Sequence, residues 1–246
     1  MAVSSFQLTT IHTARTLMFA ELARVMDHGI QDDSYLDALE DNVANKTTKT
    51  NLKFTNQLLT RLYCFEINDL AFKCFKHFWQ LATEQEQPIL ALLYALGNDY
   101  LLSESAVVVM STPLGEKVAV EKLEENLEQY HPGRFSPKTR RSVAQNIASS
   151  WKQAGFITGK VKNIRTQPEV TYLVTAFALL LAYLHGDRGD FMLNSKWVKA
   201  LGIGEDKVRE LAFEAAKRDY LQYQSAGEVT TISFNNLLTQ LGIDGI

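Results

Sequence analysis

Apolar residues recur every three or four positions through the first 110 residues, the period of helices that each bury one face. Thr10 can cap a helix carrying Ile11, Ala14, Leu17, Met18, Leu22, Val25 and Met26, with Gly29 as its stop. Asp33 and Ser34 open a short helix through Tyr35, Leu36, Leu39 and Val43. A polar run over residues 45–51 leads into a longer pattern of Phe54, Leu58, Leu62 and Phe65. Leu70, Phe72, Cys74, Phe75, Phe78 and Leu81 follow, and Pro88 opens a helix over residues 89–97. Residues 100–110 are apolar and fit a helix or a strand. The aromatic spacing of Phe72, Phe75, Phe78 and Trp79 predicts a bundle core rather than a ligand pocket.

The pattern changes after Thr112. An acidic amphipathic helix is expected over residues 116–130, with Val120, Leu123 and Leu127 on one face and His131-Pro132-Gly133 as its break. Ser136 then caps a helix with Pro137 at its first position, running through Val143, Ala144, Ile147, Ala148 and Trp151 to Gly155. Residues 156–164 suggest a short hairpin. Helix, turn, helix and hairpin in that order outline a winged helix. Residues 170–185 are apolar throughout, but at 16 residues they fall short of the ~20 that span a bilayer. They are expected to form a core helix, apolar all round. The outline then repeats, with a short helix at Trp197, Val198 and Leu201, a turn at 202–204, and a helix over 205–218. Residues 220–224 and 229–234 form a hairpin about a turn at 225–228, before a last helix at Leu237, Leu238 and Leu241. The fold class expected is mainly α, an N-terminal helical bundle (1–110) followed by winged-helix-like units with short β-hairpins (111–246, divided into 111–168 and 169–246).

Composition is that of an ordinary globular chain, 46% hydrophobic and 22% charged, with a formal net charge of −3. That balance speaks against general affinity for nucleic acid until the distribution is considered. Residues 134–168 contain Arg134, Lys138, Arg140, Arg141, Lys152, Lys160, Lys162 and Arg165, and no Asp or Glu. Eight of the 25 Lys and Arg residues lie there, which leaves 17 against 28 Asp and Glu elsewhere. Dense phosphates and the release of their counterions reward such a concentration. On the helix from Pro137, Arg140, Arg141, Gln145 and Asn146 suit base edges, and Lys138, Ser149 and Lys152 suit phosphates. Lys160, Lys162 and Arg165 would flank the groove from the hairpin, with Arg134 at the helix start. A basic patch can equally be a solvated face, a dock for an acidic partner protein, or a mate for this chain's own residues 116–128. The C-terminal unit interleaves its cations with Glu205, Asp206, Glu210 and Glu214, as a salt-bridged surface does.

Little else points to chemistry. Cys64 and Cys74 have no ligand-spaced partners and are expected as buried free thiols of a reducing cytoplasm. His12, His28, His77, His131 and His185 are scattered, none at helical metal-site spacing from another. Gly202-Ile203-Gly204 lacks the setting of a phosphate loop, and residues 185–190 are best explained as a loop. No catalytic residue, metal site or cofactor is expected, and the chain is not expected to be an enzyme. The opening residues lack the charged start and apolar core of a signal peptide, so a cytoplasmic protein without a membrane partner is expected.

Several segments in this order resemble the BrxA family of BREX phage-defence systems. They are Asn42-Val43-Ala44-Asn45-Lys46 ahead of the helix at 54–65, SPKTRRSVAQNIASSWKQAGF over 136–156, the apolar helix at 170–184 and the closing hairpin at 220–234. The resemblance implies a small helical DNA-binding protein with winged-helix-like parts, working beside larger defence-system proteins without an activity of its own. The present chain departs from that family in lacking a uniformly basic surface. Double-stranded DNA is therefore the expected partner, other defence-system proteins further ones, and an adaptor docking an acidic protein the rival reading.

Overall fold

The computed structural model describes residues 6, 9–30, 32–226 and 229–243. The chain is mainly helical. In order it forms α1 (Phe19–Gly29), α2 (Tyr35–Glu40), α3 (Lys49–Tyr63), α4 (Leu70–Leu81), α5 (Gln87–Asn98), α6 (Tyr100–Ser111), α7 (Val120–Tyr130) and α8 (Pro137–Gln153). A short hairpin, β1 (Ile157–Thr158) and β2 (Ile164–Arg165), precedes α9 (Tyr172–His185), α10 (Asp190–Leu193), α11 (Lys196–Lys199) and α12 (Glu205–Ala216). A longer hairpin, β3 (Gln222–Ala226) and β4 (Val229–Ser233), leads to α13 (Asn235–Gln240).

Two helices without a polar face organise the interior. α5 is buried from Ile89 to Asn98 and α9 from Leu173 to Leu184, and they pack on each other. A helix apolar on all sides has to be surrounded. α3, α4, α6, α8 and α11 close around α5, while α4, α10, α11 and α12 close around α9. Thr171 caps α9 through the Val174 N–H, and Gly186 at φ 108° ends it in a conformation that L side chains disfavour. The apolar stretch read as a core helix is one, and no described helix is long and apolar enough to cross a membrane. The expected boundary at 110/111 falls at the end of α6, and the hydrophobic core continues across it as one cluster reaching from Ile11 to Leu238.

Residues 100–110 are helical. Two expected helix starts are displaced. The helix read from Thr10 begins only at Phe19, because residues 9–18 are claimed by distant side chains. Ile11 N–H donates to Asp99 Oδ2 at 2.7 Å, Leu17 N–H to Ser150 Oγ at 2.8 Å, and Tyr63 Oη to Leu17 O at 2.7 Å. Ile11, Leu17 and Met18 are buried as the period suggested, but by an irregular segment wedged between α3 and α8. The acidic helix begins at Val120 rather than at 116. Residues 115–118 lie instead along β2, with Val118 N–H donating to Asn163 O at 2.7 Å and Arg165 N–H to Glu116 O at 2.8 Å. The closing hairpin pairs Gln222 with Ser233 and Gln224 with Thr231. Gly227 and Glu228 of its expected turn lie outside the described residues, as does most of the opening segment.

Candidate nucleic-acid interface

α8 is built as its sequence predicts. Ser136 Oγ accepts the Thr139 N–H at 3.2 Å, Pro137 occupies the first turn, and Val143, Ala144, Ile147, Ala148 and Trp151 face the core. That orientation turns Lys138, Ser142, Gln145, Ser149 and Lys152 outward as one strip at i, i+4, i+7, i+11 and i+14. β1 and β2 pair antiparallel, Ile157 with Arg165 and Thr158 with Ile164. Gly159 makes their turn possible: its φ is 94°, and a Cβ there would stand 2.2 Å from Lys162 O. The tip presents Lys160, Val161 and Lys162, with Val161 90% exposed. Between strip and hairpin lies a cleft of 240 Å³ lined by Gln145, Ser149, Lys152, Val161 and Asn163, closed by Val120. Lys138, Lys152, Lys160 and Lys162 form no ion pair among the described residues.

The remaining residues expected at this surface are engaged elsewhere. Arg140 pairs with Glu128, and Arg141 reaches Glu124 at 3.0 Å and Glu121 at 3.6 Å, so α7 neutralises one flank of α8. The Gly133 N–H and the Arg140 guanidinium hold the Glu128 carboxyl below its usual range. Arg134 is exposed, its guanidinium over the rings of Tyr100 and Phe135. Asn146 Nδ2 donates to His12 O at 2.9 Å and serves the fold. Arg165 is a correction. It is 3% exposed and turned inward, donating to Val109 O and Gln167 Oε1, each at 3.1 Å, and to Thr166 O. Backbone carbonyls satisfy its planar donors, and burial lowers its pKa. Its alternation in β2 puts it on the core side, which the charge run alone does not reveal.

Sequence reading also missed a buried Ser–His–Asp array. His12 Nδ1 lies 2.8 Å from Asp99 Oδ2 and His12 Nε2 2.8 Å from Ser150 Oγ, with all three residues at 0% exposure. Each oxygen is committed: Ser150 Oγ accepts the Leu17 N–H and contacts Asn146 O at 3.0 Å, while Asp99 accepts from Ile11, Leu102 and Thr10. Burial alone would raise the Asp99 pKa; His12 and the backbone N–H groups of Leu102 and Ile11 bring it below its usual value. All three side chains are closed to solvent, and their bonds tie the irregular segment at 9–18 to α6 and α8. The partners are up to 138 residues apart, and no local signal marks them.

A polar pocket of 440 Å³ beyond α3 brings together Arg61, Cys64, Glu66 and Asp69. Burial raises the pKa of its free thiol, which disfavours the thiolate, and Asp69 serves as the α4 cap. Cys74 is buried and its thiol pushed up to about 12. Among the described residues no cluster of His, Cys, Asp or Glu is placed to hold a metal ion. In the C-terminal unit Arg209 pairs with Glu205 and Asp190, Lys207 with Glu210 and Arg218 with Glu214, a salt-bridged surface. No family model, curated protein or solved structure matches the chain.

Proposed function

We propose that the chain is a non-enzymatic protein that binds double-stranded DNA, with α8 entering the major groove and the β1–β2 hairpin acting as a wing. The observation that carries this reading is the outward strip of α8 with Lys160 and Lys162 beside it, cationic, unpaired among the described residues and free of carboxylates over 134–168. The order α6, residues 115–118, α7, α8, β1, β2 supports it, because winged helices follow that order and read DNA through the second helix of the turn. Gln145 and Ser149 are placed for base-edge or sugar contacts, and the flanking lysines for phosphates. The resemblance to the BrxA family makes an accessory component of a BREX-type phage-defence system the corresponding biological role. A second reading, an adaptor docking an acidic protein, is favoured by the glutamates of α7 already seated on Arg140 and Arg141.

Fluorescence anisotropy with a short duplex across a salt series tests the first reading. Affinity should fall steeply with salt, and a Lys138/Lys152/Lys160/Lys162→Ala variant should show a slope shallower by about 0.9 per lost phosphate contact. No binding by the wild type at low salt sinks it in favour of the adaptor.

A further inference from the structure

We propose that the outer face of α3 is a second strip of duplex contacts, so that DNA is held by two basic helices bordering one segment of the N-terminal chain. This rests on the DNA-binding reading and extends its footprint. Residues 42–65 contain Lys46, Lys49, Lys53 and Arg61 and no Asp or Glu. With the run at 134–168, two acid-free stretches hold 12 of the 25 cations and leave 13 against 28 acids elsewhere.

The packing of α3 fixes which face is offered. Thr55, Leu58, Leu59, Leu62 and Tyr63 are buried, so Lys49, Lys53, Gln57, Thr60 and Arg61 point to solvent. These side chains and Asn56 frame a shallow groove of 660 Å³. Lys46 pairs with Glu21 at 2.6 Å, whereas Lys49, Lys53 and Arg61 form no ion pair among the described residues. Glu66 and Asp69 lie past the Arg61 end, which leaves the Lys49–Lys53 end the most cationic.

Duplex is the occupant that this chemistry favours. From Lys49 to Arg61 the helix rises about 18 Å at 1.5 Å per residue, the axial length over which one strand presents about five phosphates. Gln57 and Thr60, between the cations, are side chains that bond phosphate and sugar oxygens. Residues 15–17 link α3 to α8. Arg15 donates to Asn51 Oδ1 of α3 at 3.0 Å and lies over Phe54, while Leu17 is bonded by Tyr63 of α3 and Ser150 of α8. The segment at 12–17 therefore runs between the two helices.

The test compares three proteins on the same duplex across the same salt series: the wild type, Lys49→Ala/Lys53→Ala/Arg61→Ala, and a control removing three exposed lysines elsewhere, Lys199→Ala/Lys207→Ala/Lys217→Ala. Thermal melting checks the folding of each. The α3 variant should bind with a log–log slope shallower by about 2.7, three contacts at about 0.9 each, and the control should keep the wild-type slope. A wild type that binds while the α3 variant keeps its slope overturns this inference and leaves the α8 reading intact. An equal loss in the control also overturns it, because general charge then explains the effect. A wild type that binds no duplex overturns both.

Discussion

Replacing Ser150 with alanine removes one oxygen from the centre of the buried array and should cost stability rather than any activity. Ser150 Oγ accepts the Leu17 N–H at 2.8 Å and meets His12 Nε2 at 2.8 Å. Without it, both nitrogens lose their partner at sites closed to solvent. A buried polar group left without its partner costs about 1–3 kcal/mol, so two of them give about 2–6 kcal/mol, with little relief because His12 and Ser150 are fully buried. Urea unfolding of wild type and variant measures the loss, and an unchanged m-value would place it in the native state. Hydrogen exchange in the peptide containing Leu17 should accelerate as well, since its amide loses its acceptor. A variant within about 0.5 kcal/mol of wild type, the range of an ordinary surface change, would refute the reasoning. So would a normally stable variant that had lost hydrolysis of an activated ester, because the array would then be catalytic.

Asp99→Asn should destabilise the protein at neutral pH by about 1–3 kcal/mol for each donor left unmatched, because an amide offers one acceptor oxygen where the carboxylate offers two to Ile11, Leu102, Thr10 and His12. Because the folded-state pKa of Asp99 lies below its unfolded value, its contribution is full above about pH 4 and lost as pH falls through the folded value; acid unfolding curves of wild type and variant should converge there, and parallel curves would count against the assignment. Lys196 donates to Leu96 O at 2.8 Å, and burial lowers its pKa to about 8. The unfolded chain then binds more protons between that value and about 10.4, so the Lys196 contribution to stability rises with pH across the window, and Lys196→Met should remove that rise in chemical denaturation at pH 8 and pH 10. Glu121→Gln/Glu124→Gln/Glu128→Gln should release Arg140 and Arg141 towards solvent, steepening the salt dependence of duplex binding by about 0.9 for each arginine that gains a phosphate while changing stability by less than about 1 kcal/mol per pair. An unchanged slope would show that neither arginine reaches DNA.

What the sequence discloses depends on the range over which each feature is decided. α9 is legible because it has no polar face, α8 because Ser136-Pro137 is a local start signal, and both hairpins because their turns and alternation are local. Residues 9–18 carry a helical period and are not helical, since Asp99 and Ser150 outbid the intrahelical bonds from far along the chain. The same limit applies to the interface. The charge run is visible, but the turning of Arg165 inward and of Arg140 and Arg141 towards α7 follows from packing. The α3 strip is not legible in the sequence because its three cations are diluted among Asn, Gln and Thr, and only the burial of the opposite face gathers them.

The threading of residues 9–18 has a consequence for the order of assembly during synthesis. This segment leaves the ribosome well before its partners, Asp99 following Ile11 by 88 residues and Ser150 following His12 by 138. Until Ser150 has emerged, the Leu17 N–H lacks its acceptor and His12 Nε2 its partner. Closure of so long a loop is entropically slow. Residues 9–18 are thus made long before they can lock, and a nascent chain stalled before Ser150 would hold a segment that proteases and chaperones can still grasp.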